Sequence, residues 1–127
     1  MLRRTTLLAV AATLGALAVL PAGVQAAGGP EAFAAKSCSL SGKTRSLGPT
    51  YTTALSVKNV SCSKGESLVR AYYNCRLDNG GKRARCGGVS GYSCSERRSN
   101  SIRTQFDASV TCKKGRKVVK HSYTQFT

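Results

Sequence analysis

From Tyr51 to Lys58 the chain alternates, with Tyr51, Thr53, Leu55 and Val57 set against Thr52, Ala54, Ser56 and Lys58. This period of two is the pattern of a strand with one buried face. A helical pattern follows. Leu68, Tyr72 and Cys75 recur at four and three residues, which puts them on one face with Arg70 and Asn74 opposite. Ser63 and Glu66 have the spacing of a capping box, and Asp78-Asn79-Gly80-Gly81 supplies residues tolerant of positive φ at the other end. The predicted helix spans 63–78. Upstream, Cys38 to Gly42 reads as a short strand turned back by Leu47-Gly48-Pro49.

The last forty residues read as an antiparallel meander. Tyr92, Cys94 and Glu96 share one parity. Phe106, Ala108, Val110 and Cys112 alternate with Gln105, Asp107, Ser109 and Thr111. Lys113-Lys114-Gly115-Arg116 is a hairpin turn with glycine as its left-handed residue. Closing it pairs Val110 with Val119, Ala108 with His121 and Phe106 with Tyr123, so apolar and aromatic residues meet on one face. The expected fold is α+β, one helix packed on an antiparallel β-sheet.

The first 26 residues stand apart. Arg3 and Arg4 precede an uncharged run from Leu7 to Leu20, Pro21 ends it, and Val24-Gln25-Ala26 offers small residues for cleavage after Ala26. That is the layout of a secretory signal peptide, and the run is shorter than the roughly 20 residues of a membrane-spanning helix. Residues 27–35 have no periodicity and read as a flexible N-terminal tail, leaving 36–127 as one domain. The mature chain is expected to be extracellular, monomeric and without a transmembrane segment.

The cysteines change the picture next. All six, Cys38, Cys62, Cys75, Cys86, Cys94 and Cys112, lie beyond the signal. An even count in a secreted chain reads as three disulfides. No Cys-x-x-Cys pair exists to suggest a zinc knuckle, and a lone histidine excludes a site of several imidazoles, so neither a metal nor a cofactor is expected. Six cysteines allow 15 pairings. Cys75–Cys86 is a local option among them, closing the Gly80-Gly81 turn, and the inward parity of Cys94 and Cys112 with Cys75 on the helix suggests at least one bridge from helix to sheet.

Val60-Ser-Cys62, Leu68-Val-Arg-Ala-Tyr-Tyr73, Gly91-Tyr-Ser-Cys94-Ser-Glu-Arg97, Val110-Thr-Cys112-Lys-Lys-Gly115 and Tyr123-Thr-Gln-Phe126 together resemble small secreted six-cysteine proteins of high-GC Gram-positive bacteria. The resemblance covers most of residues 50–127. It implies a secreted disulfide domain and no particular activity.

Charge gives the functional expectation. The chain has 20 Lys+Arg against 5 Asp+Glu, and residues 1–26 hold two of the basic residues and none of the acidic ones, so the remaining 101 residues carry a formal +13. Lys82, Arg83 and Arg85 form one cluster. Arg97, Arg98 and Arg103 form a second, and Lys113, Lys114, Arg116, Lys117 and Lys120 a third, all read as lying in loops or at strand ends. Such a surplus draws polyanions, whether nucleic acid, a teichoic-type wall polymer or an anionic surface. Tyr72, Tyr73 and Phe126 are candidate stacking surfaces.

Two alternatives belong to other classes. The segment Lys120-His121-Ser122-Tyr123-Thr124-Gln125-Phe126 resembles the histidine-bearing end of barnase-type microbial ribonucleases. That resemblance implies Glu96 as general base and His121 as general acid, with Arg98 or Arg103 holding phosphate. Glu96 and His121 share sheet parity two strands apart, a lateral distance of about 10 Å. Against it, the face carrying His121 is also the one expected to pack the helix. No Gly-x-Ser-x-Gly elbow exists for a serine hydrolase. The other alternative is a protein inhibitor or toxin-like interaction protein presenting the Arg97–Arg103 loop.

Overall fold

The computed structural model describes residues 34–127, so the signal segment and most of the tail lie outside the described residues. Its elements are β1 (Lys36–Ser37), β2 (Tyr51–Lys58), α1 (Cys62–Asp78), β3 (Gly88–Val89), β4 (Tyr92–Ser99), β5 (Gln105–Lys114) and β6 (Lys117–Phe126). All strand pairs are antiparallel, in the order β1-β2-β6-β5-β4-β3. The single helix carries the chain from β2, next to one edge, to β3 at the other, and packs on one face of the sheet. This is the α+β architecture that the alternation and the one helical period require.

The helix is capped two residues earlier than the capping-box spacing suggests. Ser61, not Ser63, is the N-cap, and its Oγ accepts from the Lys64 amide at 3.1 Å. Glu66 turns away to accept from Lys43 Nζ at 2.8 Å. Two local constraints favour this start. Cys62, the first helical residue, is bridged to Cys38. Gly65 lies against β2 so closely that a Cβ there would meet Val57 Cγ1 at 2.7 Å. Leu68 and Tyr72 are buried as the stripe predicts and Val69 is buried beside them, whereas Cys75 is only half-buried and Arg76 takes the next inward position.

In β2 the alternation breaks. A bulge between Thr52 and Ala54 lets an extra residue into the strand, so Thr52 is buried and Thr53 exposed, the reverse of the expected parity; Leu55 and Val57 point inward as expected. The upstream strand is also displaced. Lys36–Ser37 pairs with Val57 and Ser56, and Cys38 continues through its amide to Leu55 O. Residues 39–42 instead enter a turn, in which Lys43 N donates to Leu40 O and Gly42 takes a φ of 72°.

The β5–β6 hairpin keeps the expected faces but not the expected register. Val110 pairs with His121, Ala108 with Tyr123, Phe106 with Gln125 and Cys112 with Val119, a displacement of two residues. A two-residue shift leaves every side chain on its own face, so burial does not select between the registers. The turn does. Lys114 pairs with Lys117, leaving Gly115-Arg116 as the loop, with positive φ (58°) at Gly115 and not at Arg116. Only a glycine takes that first loop position without steric cost. The expected register would have placed Lys114 there.

Cys38–Cys62, Cys75–Cys86 and Cys94–Cys112 are the three bridges, closing loops of 24, 11 and 18 residues. The first ties β1 to the start of α1. The second ties the end of α1 to the segment before β3, and the third joins directly paired residues of β4 and β5. By loop-closure entropy each stabilises by about 3 kcal/mol.

Candidate anion-binding face

The sheet alternation that buries Leu55, Val57, Val110, Cys112, Val119 and Tyr123 under the helix turns every second residue of β2, β6, β5 and β4 to the opposite face, which no helix among the described residues covers. Strand register orders that face in rows. Ser56 lies beside Lys120, then Thr111, then Ser95. Ala54 lies beside Ser122, then Ser109, then Arg97. Lys58 lies beside Val118, then Lys113, then Ser93. The composition is hydroxyls interleaved with cations.

Two depressions run across these rows. One of about 490 Å³ is lined by Ser93, Cys94, Ser95, Arg97, Thr111, Lys113 and Lys120. The other, about 390 Å³, shares Thr111 and Lys120 and extends over Ser56, Ser109 and Ser122 to Ser37. Ser109 and Ser122 hydroxyls face each other across the strands at 3.2 Å. Arg97, Lys113 and Lys120 have no carboxylate partner among the described residues, where the ion pairs are Lys43–Glu66, Arg85–Glu96 and Arg98–Glu96. The face's own carboxylate, Asp107, lies at its other end. It accepts from Thr124 at 2.6 Å and from Asn100 at 2.9 Å, and those hydrogen bonds hold its carboxyl below the usual range.

The three basic clusters anticipated from sequence are therefore not one surface, nor do all their residues lie in loops or at strand ends. Arg97 and Arg98 are both within β4, and adjacent strand residues face opposite ways. Arg97 joins Lys113 and Lys120 on the open face. Arg98 lies on the helix side, its Nε donating to Glu96 at 2.9 Å, its Nη2 to Ala84 O at 3.0 Å, and its guanidinium 4.0 Å from the Phe106 ring centre. Arg85 shares Glu96, at 3.2 Å. Arg83 fastens the chain's return through Ile102 O at 2.8 Å and Thr127 Oγ1 at 3.1 Å, beside the exposed Arg103. Lys114 reaches over Tyr92, and Arg116 and Lys117 stand at the hairpin tip, exposed like Lys82. Lys58 was not anticipated as a site residue, although its alternation with Val57 puts it on this face.

Beneath the helix lies a second polar cluster. Arg76 is 0% exposed, donating to Lys82 O at 2.6 Å and Gln125 Oε1 at 3.1 Å, with its guanidinium 4.4 Å from the Tyr123 ring centre. Tyr123 OH donates to Glu96, whose carboxylate is almost wholly enclosed. His121 is 2% exposed, edge-on to Tyr72 and stacked on Tyr123, and neither ring nitrogen has a hydrogen-bond partner. Burial, and then the Arg76 charge, push His121 down to about 4. Burial, and then the Glu96 charge, push Tyr72 up to about 12. Tyr123 is raised as well, by burial first and by its bond to Glu96 second.

Glu96, Val110 and His121 form one row across β4, β5 and β6, so the two groups of the ribonuclease alternative do share a face two strands apart. Arg98 joins them there, whereas Arg103 lies in the loop that follows β4. The helix covers the row, and both Glu96 and His121 are turned from solvent.

Neither a family model, nor a curated protein, nor a solved structure matches this chain.

Proposed function

We propose that this domain is a secreted binding module for anionic polymers, and that the open face of its sheet is the binding surface. The observation that supports this most is the convergence of Arg97, Lys113 and Lys120 on one hydroxyl-lined depression with no carboxylate to neutralise them among the described residues. Cations held on strands keep their backbone spacing when a ligand arrives, so the ordering cost of binding is confined to their side-chain rotamers. The formal surplus of positive charge adds long-range attraction. A nuclease acting through Glu96 and His121 would first have to lift the helix off that row, since a general acid must reach the atom it protonates.

Binding to a single-stranded oligonucleotide, measured against salt, tests the proposal. Three to four phosphate contacts give a slope of log K on log salt of about −2 to −3. Lys120→Ala and Arg97→Ala should each reduce that slope by about 0.7, while Lys64→Ala, on the exposed side of the helix, should leave it unchanged. Equal effects from all three variants would assign the binding to diffuse charge and remove this face from the account.

A further inference from the structure

We infer that the polymer fitting this face is a phosphodiester chain of polyol or sugar units, held through its phosphates and its hydroxyls with no base stacking. This rests on the anion-binding reading and narrows it to one chemical class.

Three observations carry it. The first is the spacing of the cations. Lys120 and Lys113 are diagonal neighbours on adjacent strands, about 7–8 Å apart at the backbone. Arg97 is two strands from Lys120 and two residues along, about 12 Å away. Such a spread suits successive charges along a chain better than one compact anion.

The second is what fills the space between them. Ser56, Ser95, Ser109, Thr111 and Ser122 present hydroxyls that both donate and accept. A chain of bare phosphates offers these groups only acceptors. Polyol or sugar units offer both functions, at the positions between phosphates where the hydroxyls lie.

The third is the placement of the aromatic rings. Sites that bind single-stranded nucleic acid interleave rings with cations so that bases can stack. Here neither depression is lined by an aromatic side chain facing the open side. Tyr51 and Phe126 stand at the far end of the face, edge-on to each other at 5.7 Å, and Arg45 already lies 4.7 Å over the Tyr51 ring. Tyr72, one of the rings expected to stack, is buried on the sheet-facing side of the helix, against His121. Asp107 bounds the footprint at the same far end, repelling a phosphate chain from it.

The test compares three polymers with equal numbers of phosphates, poly(glycerol phosphate), inorganic polyphosphate and oligothymidylate, by calorimetry at fixed salt. Poly(glycerol phosphate) is expected to bind at least tenfold more tightly than either of the others. Ser109→Ala combined with Ser122→Ala should erase most of that preference while leaving polyphosphate affinity unchanged. Equal affinity for all three would overturn the inference and leave the anion-binding proposal standing. Tighter binding of oligothymidylate would overturn it in favour of nucleic acid. Failure of all three to bind would overturn both.

Discussion

His121 should make the domain lose stability as the solution is acidified. In the folded chain its imidazole is sealed between Tyr72 and Tyr123 and stays neutral down to a pH of about 4, against 6.5 for the free side chain. Between those values the unfolded chain binds a proton that the folded chain does not. The stabilisation is therefore complete above pH 6.5, falls as pH drops through the window, and reaches its floor below about 4. The whole shift corresponds to about 3 kcal/mol, most of which is gone by pH 4.5. Because His121 is 2% exposed, solvent screening takes little from this figure. For a domain of this size the loss is equivalent to about 10–20 °C in Tm. Urea unfolding with disulfides intact, at pH 7.5, 6.5, 5.5 and 4.5, measures it. His121→Phe is the reference, since it keeps an aromatic ring against Tyr72 and Tyr123 while Asp107 and the other carboxylates titrate as before. The difference between the two profiles isolates the imidazole. Parallel profiles, or a folded-state imidazole pKa near 6.5 by NMR, would refute the reasoning.

Three further outcomes follow from the packing. Arg76→Ala should destabilise by about 3–5 kcal/mol in denaturant, because it leaves a cavity and strips donors from the part-buried Lys82 O and the buried Gln125 Oε1. Gly65→Ala should lower Tm even though alanine favours helix by up to about 1 kcal/mol, since its methyl would meet Val57 Cγ1 and overpacking costs about 1–3 kcal/mol; a raised Tm would show that α1 slides freely on β2. Replacing both Cys38 and Cys62 with serine should cost about 3 kcal/mol in urea, the loop-closure contribution of a 24-residue ring.

Much of the architecture is legible in the sequence because it follows from two periods. Alternation in Phe106–Cys112 and helical recurrence at Leu68 and Tyr72 each satisfy one buried face, and the structure keeps both. What escaped depends on contacts between distant residues. The hairpin register is not legible because two registers bury the same set, and the decision falls to a single left-handed residue at Gly115. Thr53 interrupts an alternation that looks unbroken in one dimension. Arg76 stands four residues after Tyr72, on the buried stripe, yet its charge argues for solvent until Lys82 O and Gln125 are seen to receive it. At the candidate site, Arg97 and Arg98 are equivalent for as long as they are read as part of a loop. Once β4 extends to Ser99 they part, one to the open face and one to Glu96.

The strand order also governs how this domain can be assembled. β6 comes last in chain order yet lies between β2 and β5, so until it inserts, the two halves of the sheet share no ladder. The bridges Cys38–Cys62 and Cys75–Cys86 join residues that precede β4, and both can close around the helix while the middle of the sheet is still missing. A chain stopped before Lys117 would then be cross-linked yet gaping, with the long edges of β2 and β5 unpaired and open to pairing with other chains. Closure is a zipper with two rows of teeth, and the strand that carries His121, Tyr123 and Gln125 into the interior is also the one that joins them.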